Sequence, residues 1–84
     1  MLISDLIVRL PQGLQARNSC RLVKNASSFN SEVTIVKNGI SGSLDVMEIM
    51  DLNVQEGDEI TLLVDGSDEQ SAAEVLKKYL LDIE

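Results

Sequence analysis

Few side chains in this 84-residue chain could carry out chemistry. It contains no histidine and a single cysteine, Cys20. Mechanisms in which an imidazole shuttles a proton, binds a metal or carries a phosphoryl group are therefore excluded. Cys20 falls on the apolar stripe of a predicted helix, where we expect a buried and unreactive thiol. Only carboxylates could hold a metal, and no segment spaces them as a calcium loop does, so we expect neither metal nor cofactor.

Charge is distributed unevenly along the sequence. Residues 1–37 carry five cations and two anions, whereas residues 38–84 carry two cations and twelve anions, and the whole chain has a net charge of −7. This balance argues against direct binding to nucleic acid, which depends on a basic surface. The basic first part is suited to an anion or an acidic protein partner, and an ordinary solvated surface is the alternative.

Length and hydropathy predict one domain over residues 1–84. Apolar residues make up 44% of the chain, enough for a core, and one cysteine permits no internal disulfide. The apolar runs are too short to span a membrane. Asp5 and Arg9 interrupt the N-terminal apolar segment, which argues against a signal peptide. We therefore expect a cytoplasmic protein that does not bind membranes.

Two kinds of spacing divide the chain into seven elements. Apolar residues alternate with polar ones in four segments, the period of half-buried strands, and recur at three and four elsewhere, as in helices. The predicted elements are strands over 2–10, 32–37, 40–43 and 60–64, and helices over 16–27, from Asp45 to near Leu52, and from Ser67 to the chain end.

Local signals support several of these boundaries. Asn38-Gly39 favours a type I′ hairpin turn, because both residues tolerate positive φ. Asp45 and Glu48 have the spacing of a capping box, with Asp45 at the N-cap, and segment 67–70 has the same pattern. The element order β-α-β-β-α-β-α implies an α+β fold in which helices cover one face of a sheet.

The segment Gly13-Leu14-Gln15-Ala16-Arg17 resembles the active-site loop G-L-H-[AT]-R-P-A of the HPr family, the phosphocarriers of the bacterial sugar phosphotransferase system. The resemblance extends over nearly the whole chain. It includes Phe29, the S-E-V-T strand at 31–34, the M-x-x-M-x-L run at 47–52 and D-E-Q at 68–70. It implies an HPr-like open-faced β-sandwich, with a four-stranded antiparallel sheet covered by three helices.

The departures from the family motif bear on function. In the family, the histidine after G-L accepts phosphate from the phosphoenolpyruvate-driven first enzyme; here that position is Gln15. An amide is not a usable nucleophile at neutral pH, so we expect neither a histidine phosphocarrier nor an enzyme. Arg17 is retained, and the resemblance implies an anion pocket formed by Gln15, Ala16 and Arg17 with the helix N–H groups. Asn18 replaces the usual proline.

A glutamine-bearing variant of the family, the Crh type of Gram-positive bacteria, works through a regulatory serine at the start of the second helix. A kinase phosphorylates this serine, and the protein then binds a catabolite control transcription factor. Aligning the methionines places Asp45 on the serine position. Asp45 should cap the helix, and its carboxylate could also stand in for phosphoserine. A shifted alignment places Ser43 there but breaks the methionine register.

The resemblance also implies a surface that docks partner proteins, and flexible methionines suit such a surface. Its predicted residues are Arg17, Arg21, Val46, Met47 and Met50. An acidic ridge beside them, formed by Asp45, Glu48 and Asp51, would suit a basic partner.

Three hypotheses about function follow. The leading one is a non-catalytic regulatory module that binds a protein partner, either a catabolite control transcription factor or a phosphotransferase-system protein. A second keeps phosphorylation but moves it to Ser19, Ser43 or Cys20. The third is an assembly domain that is no longer tied to sugar transport.

Overall fold

Seven elements follow one another in the predicted order in the computed structural model, which describes residues 1–83. They are β1 (Leu2–Ile7), α1 (Ala16–Ser27), β2 (Ser31–Lys37), β3 (Ile40–Ser43), α2 (Val46–Asp51), β4 (Glu59–Gly66) and α3 (Glu69–Leu80). The strands form an antiparallel sheet in the spatial order β1-β4-β2-β3. The predicted α+β fold is confirmed.

One face of the sheet is buried beneath the helices. Alternate strand residues point to this face and lose contact with water, as the two-residue period requires. The buried strand residues are Leu6, Val33, Ile35, Ile60, Leu62 and Val64, and the helices contribute Leu22, Ala26, Ile49, Ala72, Ala73, Leu76 and Leu80. None of the three helices within residues 1–83 has the length and apolar character needed to cross a membrane.

The first strand is shorter than predicted. β1 ends at Ile7, where its ladder with β4 also ends. Beyond it, the N–H of Val8 donates to the carbonyl of Asp58, and the N–H of Arg9 donates to the carbonyl of Leu80, both at 2.9 Å. The prediction of a strand to residue 10 is therefore wrong, because the chain leaves the ladder to reach the end of α3.

Helix α1 has the predicted bounds, and Leu22 and Ala26 of its predicted apolar stripe are buried. The buried face also includes Ser19, whereas Cys20 is exposed. The predicted buried thiol is therefore wrong. A polar residue is tolerated at the centre of this face because the hydroxyl of Ser19 donates to the carbonyl of Leu14 at 2.9 Å, so its hydrogen bond is not lost on burial.

The hairpin and the N-cap of α2 form as predicted. The second half of the predicted capping box does not form, because the carboxylate of Glu48 accepts from the N–H of Ser43 and not from that of Asp45. Asn38 and Gly39 have φ values of 53° and 78°, the positive angles of a type I′ turn. Oδ1 of Asp45 accepts hydrogen bonds from the N–H groups of Met47 and Glu48, at 2.9 and 3.2 Å. Asp45 is therefore the N-cap of α2.

The capping box predicted at residues 67–70 does not form. Asp68 occupies the N-cap position of α3 without capping it through its side chain. Its carboxylate instead accepts hydrogen bonds from the N–H of Asn30, at 2.8 Å, and from the hydroxyl of Ser31. The carboxylate of Glu69 accepts from the N–H of Gly66. Asp68 thus ties the start of α3 to the start of β2.

Helix α3 ends at Leu80 and does not continue to the chain end as predicted. Asp82 adopts a left-handed φ of 56°, and the N–H of Ile83 donates to the carbonyl of Lys78 at 2.9 Å. This is the reversal that commonly closes a helix C-terminus. Ile83 consequently lies outside the helix and is exposed.

Replacing Leu62 with alanine should destabilise the fold strongly. Leu62 is fully buried in β4 between its two neighbouring strands. Loss of its side chain should lower the free energy of unfolding by about 2–5 kcal/mol. Denaturant unfolding followed by circular dichroism measures this, with the exposed Val75→Ala in α3 as control, for which we expect a change below about 0.5 kcal/mol.

Acid should weaken the link between α3 and β2. Hydrogen bonds from the hydroxyl of Ser31 and the N–H of Asn30 lower the pKa of Asp68 below its ordinary value of 3.8. A carboxyl whose pKa is lower in the folded state than in the unfolded state stabilises the fold at pH values above its unfolded-state pKa. This stabilisation is lost as the pH falls through the folded-state pKa. Asp68→Asn should therefore lower the melting temperature at pH 7, and the difference from wild type should shrink towards pH 2. An equal difference at both pH values would contradict this linkage.

Candidate functional site

The loop before α1 is held in an unusual backbone conformation against segment 53–55. Gln12 and Gly13 have left-handed φ values of 69° and 60°. A Cβ on Gly13 would lie 2.3 Å from the carbonyl oxygen of Val54, so only glycine fits there. The N–H of Leu14 donates to the same oxygen at 2.9 Å. These contacts fix the position from which α1 starts.

Asn18 holds the same loop from the helix side. Its Nδ2 donates to the carbonyl oxygens of Gly13 and Pro11, at 2.7 and 3.0 Å. Its own carbonyl accepts a hydrogen bond from the hydroxyl of Tyr79 in α3, at 3.1 Å. Burial raises the pKa of Tyr79, which keeps this hydroxyl protonated as a donor. The sequence identified Asn18 only as a lost proline, because its partners become visible only once the loop is folded.

The predicted anion-pocket residues lie together at the start of α1. Gln15 is the N-cap residue, and its side chain makes no capping hydrogen bond. The first backbone N–H to bond within the helix is that of Ser19, which donates to the carbonyl of Gln15 at 2.8 Å. The N–H groups of Ala16 and Arg17 come before this first bond and have no partner within the helix. Such N–H groups at a helix N-terminus can donate hydrogen bonds to an anion.

A small hollow of about 190 Å³ lies at this helix start. It is lined by Gln12, Gln15, Ala16, Arg17 and Asn18. Gln12 and Asn18 were not among the predicted site residues. The hollow therefore combines the exposed Arg17 with side-chain amides and the first turn of the helix.

A second hollow, of about 390 Å³, connects the start of α1 with the end of α2. It brings Met50 beside Gln15 and Ala16. Met47 and Met50 retain 67% and 38% of their surface exposure. Both methionines of the predicted docking surface are therefore available to a partner, and Met50 lies next to the start of α1.

The other predicted docking residues differ in exposure. Val46 is partly buried at the start of α2. Arg17 and Arg21 are both exposed. Because they are four residues apart in α1, they lie on the same face of the helix, one turn from each other.

The predicted phosphorylation alternatives differ in access. Ser19 is fully buried, with its hydroxyl bonded to Leu14, so a kinase cannot reach it in the folded chain. Ser43 and Cys20 are exposed. The N–H of Ser43 donates to the carboxylate of Glu48 at 3.2 Å, which places an acidic group beside it.

Comparison with known sequences identifies relatives in one protein family. A family model described as "PTS HPr component phosphorylation site" matches residues 4–82. "HPr-like protein Crh" of Bacillus subtilis is 42% identical over 74 residues, which is 87% of each chain. "Phosphocarrier protein HPr" of Mycoplasma capricolum is 38% identical and covers 83% of this chain and 80% of its own.

Solved structures agree with the sequence matches. Phosphocarrier protein HPr from Bacillus anthracis superposes with a TM-score of 0.90 at 34% identity, over 94% of this chain and 95% of its own. A crystal structure of Crh from Bacillus subtilis, described as a catabolite repression protein with a swapped domain, gives a TM-score of 0.79 at 38% identity, over 98% and 95%.

Removing the side-chain amide of Asn18 should loosen the loop. Asn18→Ala deletes two hydrogen bonds to carbonyl oxygens, which should lower the free energy of unfolding by about 1–2 kcal/mol. It should also speed amide hydrogen exchange at Gly13 and Leu14. Asn25→Ala, at a partly buried position of the same helix, is the matched control. Unchanged amide exchange in the loop would show that the hydrogen bonds from Asn18 are not needed to hold the loop in place.

Proposed function

The chain belongs to the HPr family, and on that premise we propose that it acts as a regulatory protein-binding module of the Crh type and not as a histidine phosphocarrier. The observation that carries this proposal is a helix start that keeps its anion-binding features without a group that could accept phosphate. Arg17 lies beside the first N–H groups of α1, and Gln15 stands where the resemblance places the phosphohistidine. The chain contains no histidine that could replace it.

Asp45 supports a regulatory role for the start of α2. It occupies the position that the resemblance gives to the regulatory serine, and its carboxylate needs no kinase to be present. Oδ1 makes both capping hydrogen bonds, and within residues 1–83 Oδ2 accepts none. One carboxylate oxygen is thus available to a partner while the other holds the helix. We propose that Asp45 substitutes for phosphoserine in binding.

The proposed docking surface consists of Arg17, Met47, Met50 and Asp45. Met47 and Met50 supply the apolar contact, and Arg17 and Asp45 supply one charge of each sign. Charges at the rim of an interface select the partner, whereas the apolar centre contributes most of the affinity. The proposed partner is a catabolite control transcription factor that offers a cation to Asp45. Arg21, which is exposed one helical turn after Arg17, extends this surface along α1.

The charge of Asp45 can be separated from its capping role. Asparagine caps helices as well as aspartate does, so Asp45→Asn should keep α2 intact and remove only the charge. By calorimetry at two salt concentrations, we expect wild type to bind the unmodified transcription factor. Asp45→Asn should bind about tenfold more weakly, because hydrogen bonds to charged groups contribute roughly 1.5–3 kcal/mol. Added salt should weaken wild type more than the variant.

Glu74→Gln is the matched control, since it removes the same charge from the exposed side of α3, outside α2 and the acidic ridge. Binding by this control should stay near the wild-type value. If Asp45→Asn binds as tightly as wild type, the residue is only a helix cap. If no form binds, the chain has a partner outside catabolite repression.

Phosphotransfer should not occur in this chain. Incubation with phosphoenolpyruvate and the first enzyme of the phosphotransferase system, followed by intact mass measurement, should show no added phosphate. A related HPr that contains the histidine serves as the positive control. An added phosphate located on Ser43 or Cys20, the two exposed alternatives, would refute a purely regulatory role.

A further inference from the structure

The sheet has a second face, opposite the helices, which we name the outer face. It is formed by the strand residues that alternate with the buried ones. Ile3 and Ile7 of β1 retain 66% and 42% of their surface exposure there. Ile3 pairs with Leu63 of β4 in the ladder, and Val36 of β2 lies nearby on the same face. No helix within residues 1–83 covers these apolar side chains.

The charged side chains that β1, β2 and β4 direct to the outer face are all acidic. They are Asp5, Glu32, Glu59 and Asp65. Within residues 1–83, Glu32 and Glu59 form no ion pair with any lysine or arginine. Lys37 lies at the hairpin end of β2, and its ammonium group is 2.8 Å from the carboxylate of Asp58.

Like charges also stand directly opposite each other on this face. Glu32 of β2 pairs with Asp65 of β4 in the ladder register. Such pairs destabilise a sheet unless a cation lies between them. Asp65 is 3.6 Å from the amino group of Met1, which lies closer, at 3.1 Å, to Glu69. The neutralisation of this pair inside the molecule is therefore incomplete.

A shallow hollow of about 390 Å³ lies at the hairpin end of the outer face. Asp5, Glu59, Val36 and Thr61 contribute to its lining. The hydroxyl of Thr61 donates to Oδ1 of Asp5 at 2.6 Å, which holds that carboxylate in place. Lys37 and Asp58, which form an ion pair with each other, also line the hollow. Within residues 1–83, Asp5 and Glu59 are its carboxylates without a lysine or arginine partner.

We propose that the outer face binds a basic amphipathic helix of a partner protein. A helix is the element that ordinarily covers an apolar sheet face. Its apolar side would pack on Ile3, Leu63 and Ile7, and its lysines or arginines would reach Glu32 and the hollow beside Glu59. A second copy of this chain is disfavoured as the partner, because two acidic faces repel each other. Anionic lipids and nucleic acids are disfavoured for the same reason.

The outer face and the proposed docking surface lie on opposite sides of the molecule. The helices occupy one side of the sheet and the outer face occupies the other. Two partners could therefore bind at the same time, and the chain would act as an adaptor between them. This inference does not depend on the proposed function, because it uses none of the residues of α1 or α2.

Two synthetic helical peptides test the proposal. Both are helices of about 14 residues, long enough to cross the four strands, and both carry the same stripe of leucines. Beside the stripe, one peptide has lysines where the other has glutamates. We follow amide shifts of the full chain by nuclear magnetic resonance. The lysine peptide should saturate and shift amides of β1, β2 and β4, and the glutamate peptide should not bind. Shifts centred on α1 and α2, or equal binding of both peptides, would overturn the proposal.

Matched variants separate local contacts from net charge. Glu32→Gln combined with Glu59→Gln should weaken lysine-peptide binding about fivefold and flatten its salt dependence. Glu74→Gln combined with Asp82→Asn removes the same charge from α3 and from the turn that ends it, and should leave binding nearly unchanged. Ile3→Ser should weaken binding without changing the salt dependence. Equal losses in both double variants would show non-specific attraction and refute a site on the outer face.

Discussion

The contact between the loop before α1 and the carbonyl of Val54 positions the start of α1 against the end of α2, where the candidate site lies. Gly13 must lack a side chain to approach that oxygen, and Leu14 donates its N–H to it. One oxygen thereby ties the start of α1 to the loop that follows α2. The hollow shared by Gln15 and Met50 exists because these two helix ends are held side by side. Further hydrogen bonds from Asn18 maintain the loop geometry where the family usually has proline.

The molecule presents two surfaces with different chemistry. On the helical side, exposed methionines lie near Arg17 and Asp45, so both charge signs are available to a partner. On the outer face of the sheet, apolar and hydroxyl side chains lie beside charged side chains that are all carboxylates. A sheet covered on one side must expose its other side, and the side chains placed there determine what can approach. In this family member, that outer face has an acidic character that selects for cations.

Some features could be predicted because they depend only on neighbouring residues. Asp45 caps α2 with N–H groups two and three positions away, and Asn38-Gly39 adopts the turn that both residues tolerate. Other features could not. Segment 67–70 has the same spacing as a capping box, but Asp68 bonds instead to Asn30, which is distant in sequence. Competition between local and distant partners is invisible in a sequence pattern.

The sequence by itself determined the element order, the α+β class and, through its lack of histidine, the exclusion of histidine phosphotransfer. These conclusions follow from periodicity and from residue types, which do not depend on how distant segments meet. Only the tertiary structure decided that α1 buries Ser19 and exposes Cys20. The side that a helix buries depends on the elements that pack against it. A hydroxyl can be buried there when a carbonyl oxygen accepts a hydrogen bond from it.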